Sequence, residues 1–256
     1  MKNIAILGAG WLGTSLAHSL SKANNLKVSV RSEEKKQRLY GEGLKVDIVE
    51  IKENEIVDES SFFSNTDVLL VSLTPIALAY FEQVIQAIEQ NHIKKVILFS
   101  STGIYTDCEG WVTETSDLHL EIPKVKHLKT IEDLFLLNEN FDCTVLRFGG
   151  LMGKDRHPVK FLAKKEIIEE GNEPVNMISD EEIISIMEQI ITKELPNDVF
   201  NVVTNDHRTK KDFYTEAALE RGLQLPPFTE TPNPKNRKVD TMKIQQFLSN
   251  KNELIS

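Results

Sequence analysis

Three glycines near the amino terminus, Gly8, Gly10 and Gly13, restrict what this chain can fold into more than any other feature. They follow an apolar run, Ile4-Ala-Ile-Leu7, and open a stretch with apolar residues at helical spacing: Leu12, Leu16, Ala17 and Leu20. Strand, G-x-G-x-x-G turn and helix in that order form the context of a dinucleotide-binding fingerprint. Gly8 permits the tight turn, Gly10 lets the main chain approach a pyrophosphate, and Gly13 lets the helix pack closely on the strand. The helix start at Trp11 and Leu12 offers free N–H groups and a positive dipole end to phosphates. A merely structural turn would account for the glycines but not for their flanks.

The next segment bears on which dinucleotide. Leu26-Lys-Val-Ser-Val-Arg31 reads as a second strand, and its end is where an acid would bind a ribose 2′-hydroxyl. Arg31 and Ser32 stand there instead, with Lys35 and Lys36 just beyond, while Glu33 and Glu34 read as the start of a helix. A guanidinium clamps a phosphate bidentately, whereas an acid would repel it. The expectation is NADP, with NAD the lesser candidate; a solvated loop arginine is the plainer alternative. Ligands of open α/β sheets sit outside the carboxyl ends of the strands. That adds Leu73 and Thr74, ending a central strand, and Ser100, ending a later one, to the expected cofactor contacts.

Strand-like and helix-like stretches alternate along the 256 residues. Asp47–Lys52 alternates like a third strand, Asp67–Leu73 is continuously apolar, and Lys95–Ser101, Asp142–Phe148 and Val199–Val203 read as further strands. Helices are expected over Ile76–Asn91, Lys124–Leu137, Lys210–Gly222 and Thr241 to Asn250, and Lys164–Glu170 reads as a solvated helix face. The pattern predicts an α/β fold: a doubly wound parallel sheet, the Rossmann fold, with a small C-terminal substrate lobe. Residues 1–150, completed by a strand near 199–205, would form the dinucleotide-binding domain, and 151–198 with 206–256 the lobe.

A net charge of −9 argues against nucleic-acid or membrane-surface partners. Cys108 and Cys143 have no metal-ligand spacing and the six histidines are scattered singly, so no metal site is expected. With a core strand at the amino terminus and no apolar run of transmembrane length, the chain reads as cytoplasmic.

Three motifs together resemble the short-chain dehydrogenase/reductase superfamily, in its extended, epimerase-like branch, and within it the atypical NAD-dependent epimerase/dehydratase proteins. They are Gly8-x-Gly-x-x-Gly13, Ser100-Ser-Thr-Gly-Ile-Tyr105 and Leu146-Arg-Phe-Gly-Gly-Leu-Met-Gly153, and Asn176–Ile183 resembles the stretch leading back from the substrate lobe. The resemblance implies that Ser101 is a catalytic hydroxyl bonded to the substrate oxygen; the alternative is that these hydroxyls cap the loop backbone. It also implies a Y-x-x-x-K pair on the following helix, and here the chain departs from the family. Its tyrosines are Tyr40, Tyr80, Tyr105 and Tyr214, with none on that helix. Aligned on Glu132, the tyrosine position is Lys124 and the lysine position Leu128; counted from Ser101, the register falls near Lys126 and His127. Lys126 is taken as the candidate proton-handling residue, with Lys124, His127 and Lys129 on the same helix.

Two functions of different class follow. One is an NADP-dependent oxidoreductase or epimerase/dehydratase acting on a small-molecule or nucleotide-sugar-like substrate. The other is a non-catalytic NADP-binding sensor that lost the tyrosine. A β-hydroxyacid or pyrroline-carboxylate type reductase is disfavoured by the late strand, since those chains continue into an all-helical domain. Lys154, Arg156, His157 and Lys160 are either anion-binding lobe residues or a solvated loop. The state is monomer or homodimer.

Overall fold

The computed structural model describes residues 1–249 except Glu53, Asn54, Glu59, Ser60 and Ile76. Seven strands form one sheet: β1 (Asn3–Leu7), β2 (Asn25–Val30), β3 (Lys45–Ile48), β4 (Val68–Val71), β5 (Lys95–Ser101), β6 (Asp142–Phe148) and β7 (Asp198–Val202). Their spatial order is β7-β6-β5-β4-β1-β2-β3. The sheet is parallel, with β1 registered against β2 (Ile4 to Leu26) on one side and β4 (Ile4 to Val68) on the other. The direction of winding reverses between β1 and β4. A doubly wound sheet opens a crevice at such a reversal, outside the carboxyl ends of the strands.

The longer helices are α1 (Trp11–Leu20), α2 (Glu33–Gly41), α3 (Leu78–Gln90), α4 (Pro123–Leu136), α5 (Asp180–Thr192), α6 (Lys210–Glu220) and α7 (Met242–Ser249), with a single helical turn at Val159–Leu162. Ser32 caps α2, its side chain accepting from the Lys35 N–H, and Glu33 and Glu34 occupy the first turn, where carboxylates suit the helix dipole. Of the helix ends expected from the sequence, Ile76 and Asn250 lie outside the described residues.

The chain divides into two compact units. The first comprises Met1–Ser100, His127–Leu146 and Ile184–Val199. Its core joins sheet residues such as Ala5, Leu7, Leu69, Val71, Val96 and Val145 to the aromatic cluster of Phe81, Phe135 and Phe141, whose rings meet edge to face. The second comprises Ser101–Lys126, Arg147–Ile183 and Phe200–Ser256. Short parallel pairs stitch it, Gly150–Met152 to Met177–Ser179 and Trp111–Val112 to Lys238–Val239. At its centre the Tyr105 hydroxyl donates to Asn201 Oδ1 at 2.8 Å and accepts from Arg147 Nη1 at 2.7 Å. Asn201 is filled in turn by the Asp240 carbonyl and the Glu114 carboxylate. Breaking one member of a buried, mutually satisfied set leaves the others unpaired.

Two expectations from the sequence are corrected. The run Asp47–Lys52 is not one strand: β3 ends at Ile48, Val49 still bonds to Val30, and Glu50–Ile51 turn away to pair antiparallel with Ile56–Val57. Lys164–Glu170 is not helical. Helical backbone stops at Leu162, and Ile168, buried at 3 % exposure, bridges to Phe228 sixty residues later in the chain.

Candidate cofactor site and catalytic residues

The crevice at the β1–β4 reversal is a cavity of about 770 Å³, within the range typical of small-molecule and cofactor sites. The glycine turn forms its floor: the Gly8 N–H donates to Ser29 Oγ at 2.9 Å and the Ala9 N–H to the Ser29 carbonyl at 2.8 Å, which tie the turn to β2. Gly8 has φ +102°, and a Cβ there would lie 2.6 Å from the Ser72 carbonyl oxygen. Gly13 lies under the turn, where a Cβ would meet the Gly8 carbonyl oxygen at 2.3 Å.

Gly10 is different. A Cβ on it would meet nothing within 4 Å, although Gly10 lines the cavity. As the residue preceding α1 it gives that helix no side-chain cap, and no acid lies in the first turn. A bare main chain and an uncapped, acid-free helix start that face open space suit a bound anion.

Of the residues singled out from the sequence, Gly8, Gly10, Arg31, Ser32, Leu73 and Thr74 line this cavity. Trp11 and Leu12 form the start of α1, with Leu12 buried in the core. Ser100 Oγ donates to the buried carboxylate of Glu132 at 2.6 Å. Lys35, which the sequence places just beyond Arg31 and Ser32, also lines the cavity, as do Ser29, Ala77 and Tyr80, to which the sequence pointed no cofactor role. The signal for Lys35 was available: it stands one helical turn after Arg31, just inside a helix capped by Ser32. Its ammonium donates to the Ala9 carbonyl, and burial, with Arg38 and Arg31 nearby, lowers its pKa from the ordinary lysine value.

Ser101, at the end of β5, accepts from the Gly103 N–H through Oγ at 3.0 Å. Lys124, in the first turn of α4, has its Nζ beside Gly103; Lys124 and Lys126 are both exposed residues. Burial pushes the Tyr105 phenol up, so it stays a protonated donor to Asn201. Among the described residues no cluster of His, Cys, Asp or Glu is arranged to hold a metal ion, and no helix is long and apolar enough to cross a membrane. Cys108 and Cys143 are free and buried.

A family model described as NAD(P)H-binding matches residues 8–194. The chain belongs to this NAD(P)H-binding family. It is 25% identical over 239 residues to Protein YeeZ of Escherichia coli K12, a match covering 89% of this chain and 87% of that one. The fold is shared with a conserved protein of unknown function from Silicibacter pomeroyi DSS (TM-score 0.79, 20% identity, 98% of this chain and 93% of that chain). It is also shared with the UDP-glucuronic acid 4-epimerase of Bacillus cereus solved in complex with NAD (TM-score 0.77, 16% identity, 95% and 91%). The NAD(P)-binding character expected from the glycine motif is therefore that of the family, and the doubly wound fold is that of the structural neighbours.

The glycine positions carry a stability expectation of their own. Gly8→Ala forces a left-handed backbone and a main-chain contact at once. It should destabilise the protein by roughly 2–4 kcal/mol, read as a lower thermal midpoint in calorimetry.

Proposed function

We propose that this chain is an NADP-dependent oxidoreductase of the epimerase/dehydratase-like branch, cytoplasmic, acting on a small-molecule substrate of nucleotide-sugar-like class. The observation that carries the reading is the cavity at the β1–β4 reversal, with the open Gly10 main chain at its floor and Arg31, Ser32 and Lys35 together on its lining. These residues fit a dinucleotide: Gly8–Gly10 and the start of α1 would hold the pyrophosphate, and Arg31 with Lys35 a 2′-phosphate. When bound, the nicotinamide supplies hydride transfer. The chain's own part is to orient it and to present Ser101 to the substrate oxygen. Glu33 and Glu34 stand in the first turn of α2 and do not line the cavity, and none of the described lining residues is an acid, which supports NADP over NAD.

The test is titration calorimetry with NADPH and NADH. NADPH should bind more tightly, and Arg31→Asp should weaken NADPH by about 1.5–3 kcal/mol, the scale of a lost charge-assisted contact, with little effect on NADH. Equal affinity for both dinucleotides in the parent protein would remove the assignment.

Lys35 adds a pH signature. A lysine with a lowered pKa holds its charge only below that value, so its contribution is lost as pH rises through it. The preference for NADPH should therefore fall at a pH below the ordinary lysine range. A Lys35→Arg variant, charged throughout, should keep it flat; a fall of the same size in that variant would show that Lys35 is not the titrating group.

A non-catalytic NADP-binding sensor is the second reading. It is supported by the missing tyrosine and by the local capping bond of Ser101 to Gly103. Turnover of any carbonyl or nucleotide-sugar substrate that depends on Ser101 excludes it.

A further inference from the structure

We infer that the second unit holds a binding site for a small organic carboxylate, built by His157 and Arg221 in a cavity of its own. The inference stands independently of the oxidoreductase reading and concerns a different ligand.

The cavity has a volume of about 380 Å³, and all of its lining residues belong to the second unit. None of them lines the crevice at the β1–β4 reversal. Its walls come from the loop that carries His157, the start of α5, and α6. Of that loop's basic residues, Lys154 and His157 line the cavity, while Lys160 turns back to donate to the Asp155 carbonyl.

His157 is the group that calls for a ligand. It is buried, at 5 % exposure. Its Nδ1 accepts from the Val159 N–H at 3.2 Å, so the neutral ring carries its proton on Nε2. Burial, and after it the charge of Arg221, lowers the imidazole's pKa against the pull of Glu220, which favours the neutral form. The ring is held in place over Phe213, with centroids 6.0 Å apart and planes 19° from parallel, and Tyr214 stands edge-on at 6.5 Å. Among the described residues Nε2 has no protein partner. Unlike the ring nitrogens of His207, which are sealed without partners, it is not closed off, and the cavity is what His157 lines. An N–H fixed in direction can be met only by an acceptor, and leaving it unmet is costly.

Arg221 supplies the second donor. Its Nη1 donates to the Ala217 carbonyl and to Glu220, both at 3.0 Å, which pins the guanidinium at the end of α6. The Nε–Nη2 edge is left without a protein partner among the described residues, on a side chain that lines the same cavity. Such an edge matches the two oxygens of a carboxylate.

The acids of the lining decide which anion fits. The cavity carries four carboxylates against three cations. Glu216 is held by Arg208 and Glu220 by Arg221, but Asp180 and Glu181 stand in the first turn of α5. A phosphate dianion or a diphosphate would meet that like charge, whereas a monoanion meets it least. Met152, Phe213 and Ala217 give a short carbon skeleton an apolar side to rest on. The volume, at the low end for ligand sites, suits a small molecule.

The test uses the whole protein without dinucleotide, with benzoate as the probe. In protein labelled with ¹⁵N-histidine, the His157 ring signals, identified by their loss in His157→Asn, should show the proton on Nε2. They should shift and saturate as benzoate is added, and inorganic phosphate at matched ionic strength should not saturate them. His157→Asn keeps an acceptor for the Val159 N–H but loses the Nε2 donor. Arg221→Gln removes the charge and leaves His157 as it is. Each should weaken benzoate binding by at least about tenfold in calorimetry. A thermal melt checks that each variant is folded, and if His157→Asn is not, Arg221→Gln decides alone. No saturable shift with benzoate, a proton on Nδ1, a phosphate response equal to that of benzoate, or parent-like binding in folded Arg221→Gln would overturn the inference.

Discussion

Gly10→Val should abolish NADPH binding while leaving the protein folded. The two consequences separate because nothing in the protein itself requires glycine at position 10: a Cβ there meets no protein atom within 4 Å, and the backbone is extended, at φ −64° and ψ −164°, which valine accepts. The added isopropyl group would occupy the space through which a pyrophosphate reaches the main chain at the start of α1. The stability cost should be only the poor capping preference of valine, about 1 kcal/mol or less, a shift of roughly 2–4 °C in a chain of this size. NADPH titration and a thermal melt on one preparation check both halves. Unchanged affinity in a folded variant would move the phosphate site away from this turn.

Gly13→Ala should do the reverse and damage the fold first. Its Cβ would stand 2.3 Å from the Gly8 carbonyl oxygen, a main-chain atom tied to β1 and therefore unable to swing aside as a side chain does. Relief requires α1 to lift from the strand it packs on, which disturbs buried Leu16, Ala17 and Leu20. Overpacking of this kind costs on the order of 2–3 kcal/mol. The thermal midpoint should drop by roughly 4–12 °C, with cofactor affinity falling as a consequence of the displaced turn. A melt within a degree of the parent would show that helix and turn have room the packing does not suggest.

Much of this was readable from local pattern. The strand–turn–helix at residues 3–20 has apolar periodicity on both sides of its glycines, and β4 is continuously apolar because both of its faces are covered. What local pattern misses is set by partners distant in sequence. Asp47–Lys52 alternates, but its last residues take Ile56–Val57 as a partner instead of continuing the ladder with β2. Ile168, within a charged run that looks helical, is claimed by Phe228. At the candidate site the glycines and Arg31 announce themselves through motif position, whereas Lys35 enters the cavity through the start of α2 at Ser32. That Lys124 has its ammonium beside Gly103 depends on the phase of α4, which a family alignment with its tyrosine missing cannot fix.

A crystal structure with NADPH bound tests the central claim most directly. The pyrophosphate should lie against the Gly10 main chain at the start of α1, with the 2′-phosphate between Arg31 and Lys35. A dinucleotide held elsewhere, or one whose 2′-phosphate points to solvent with neither cation near it, would contradict the account.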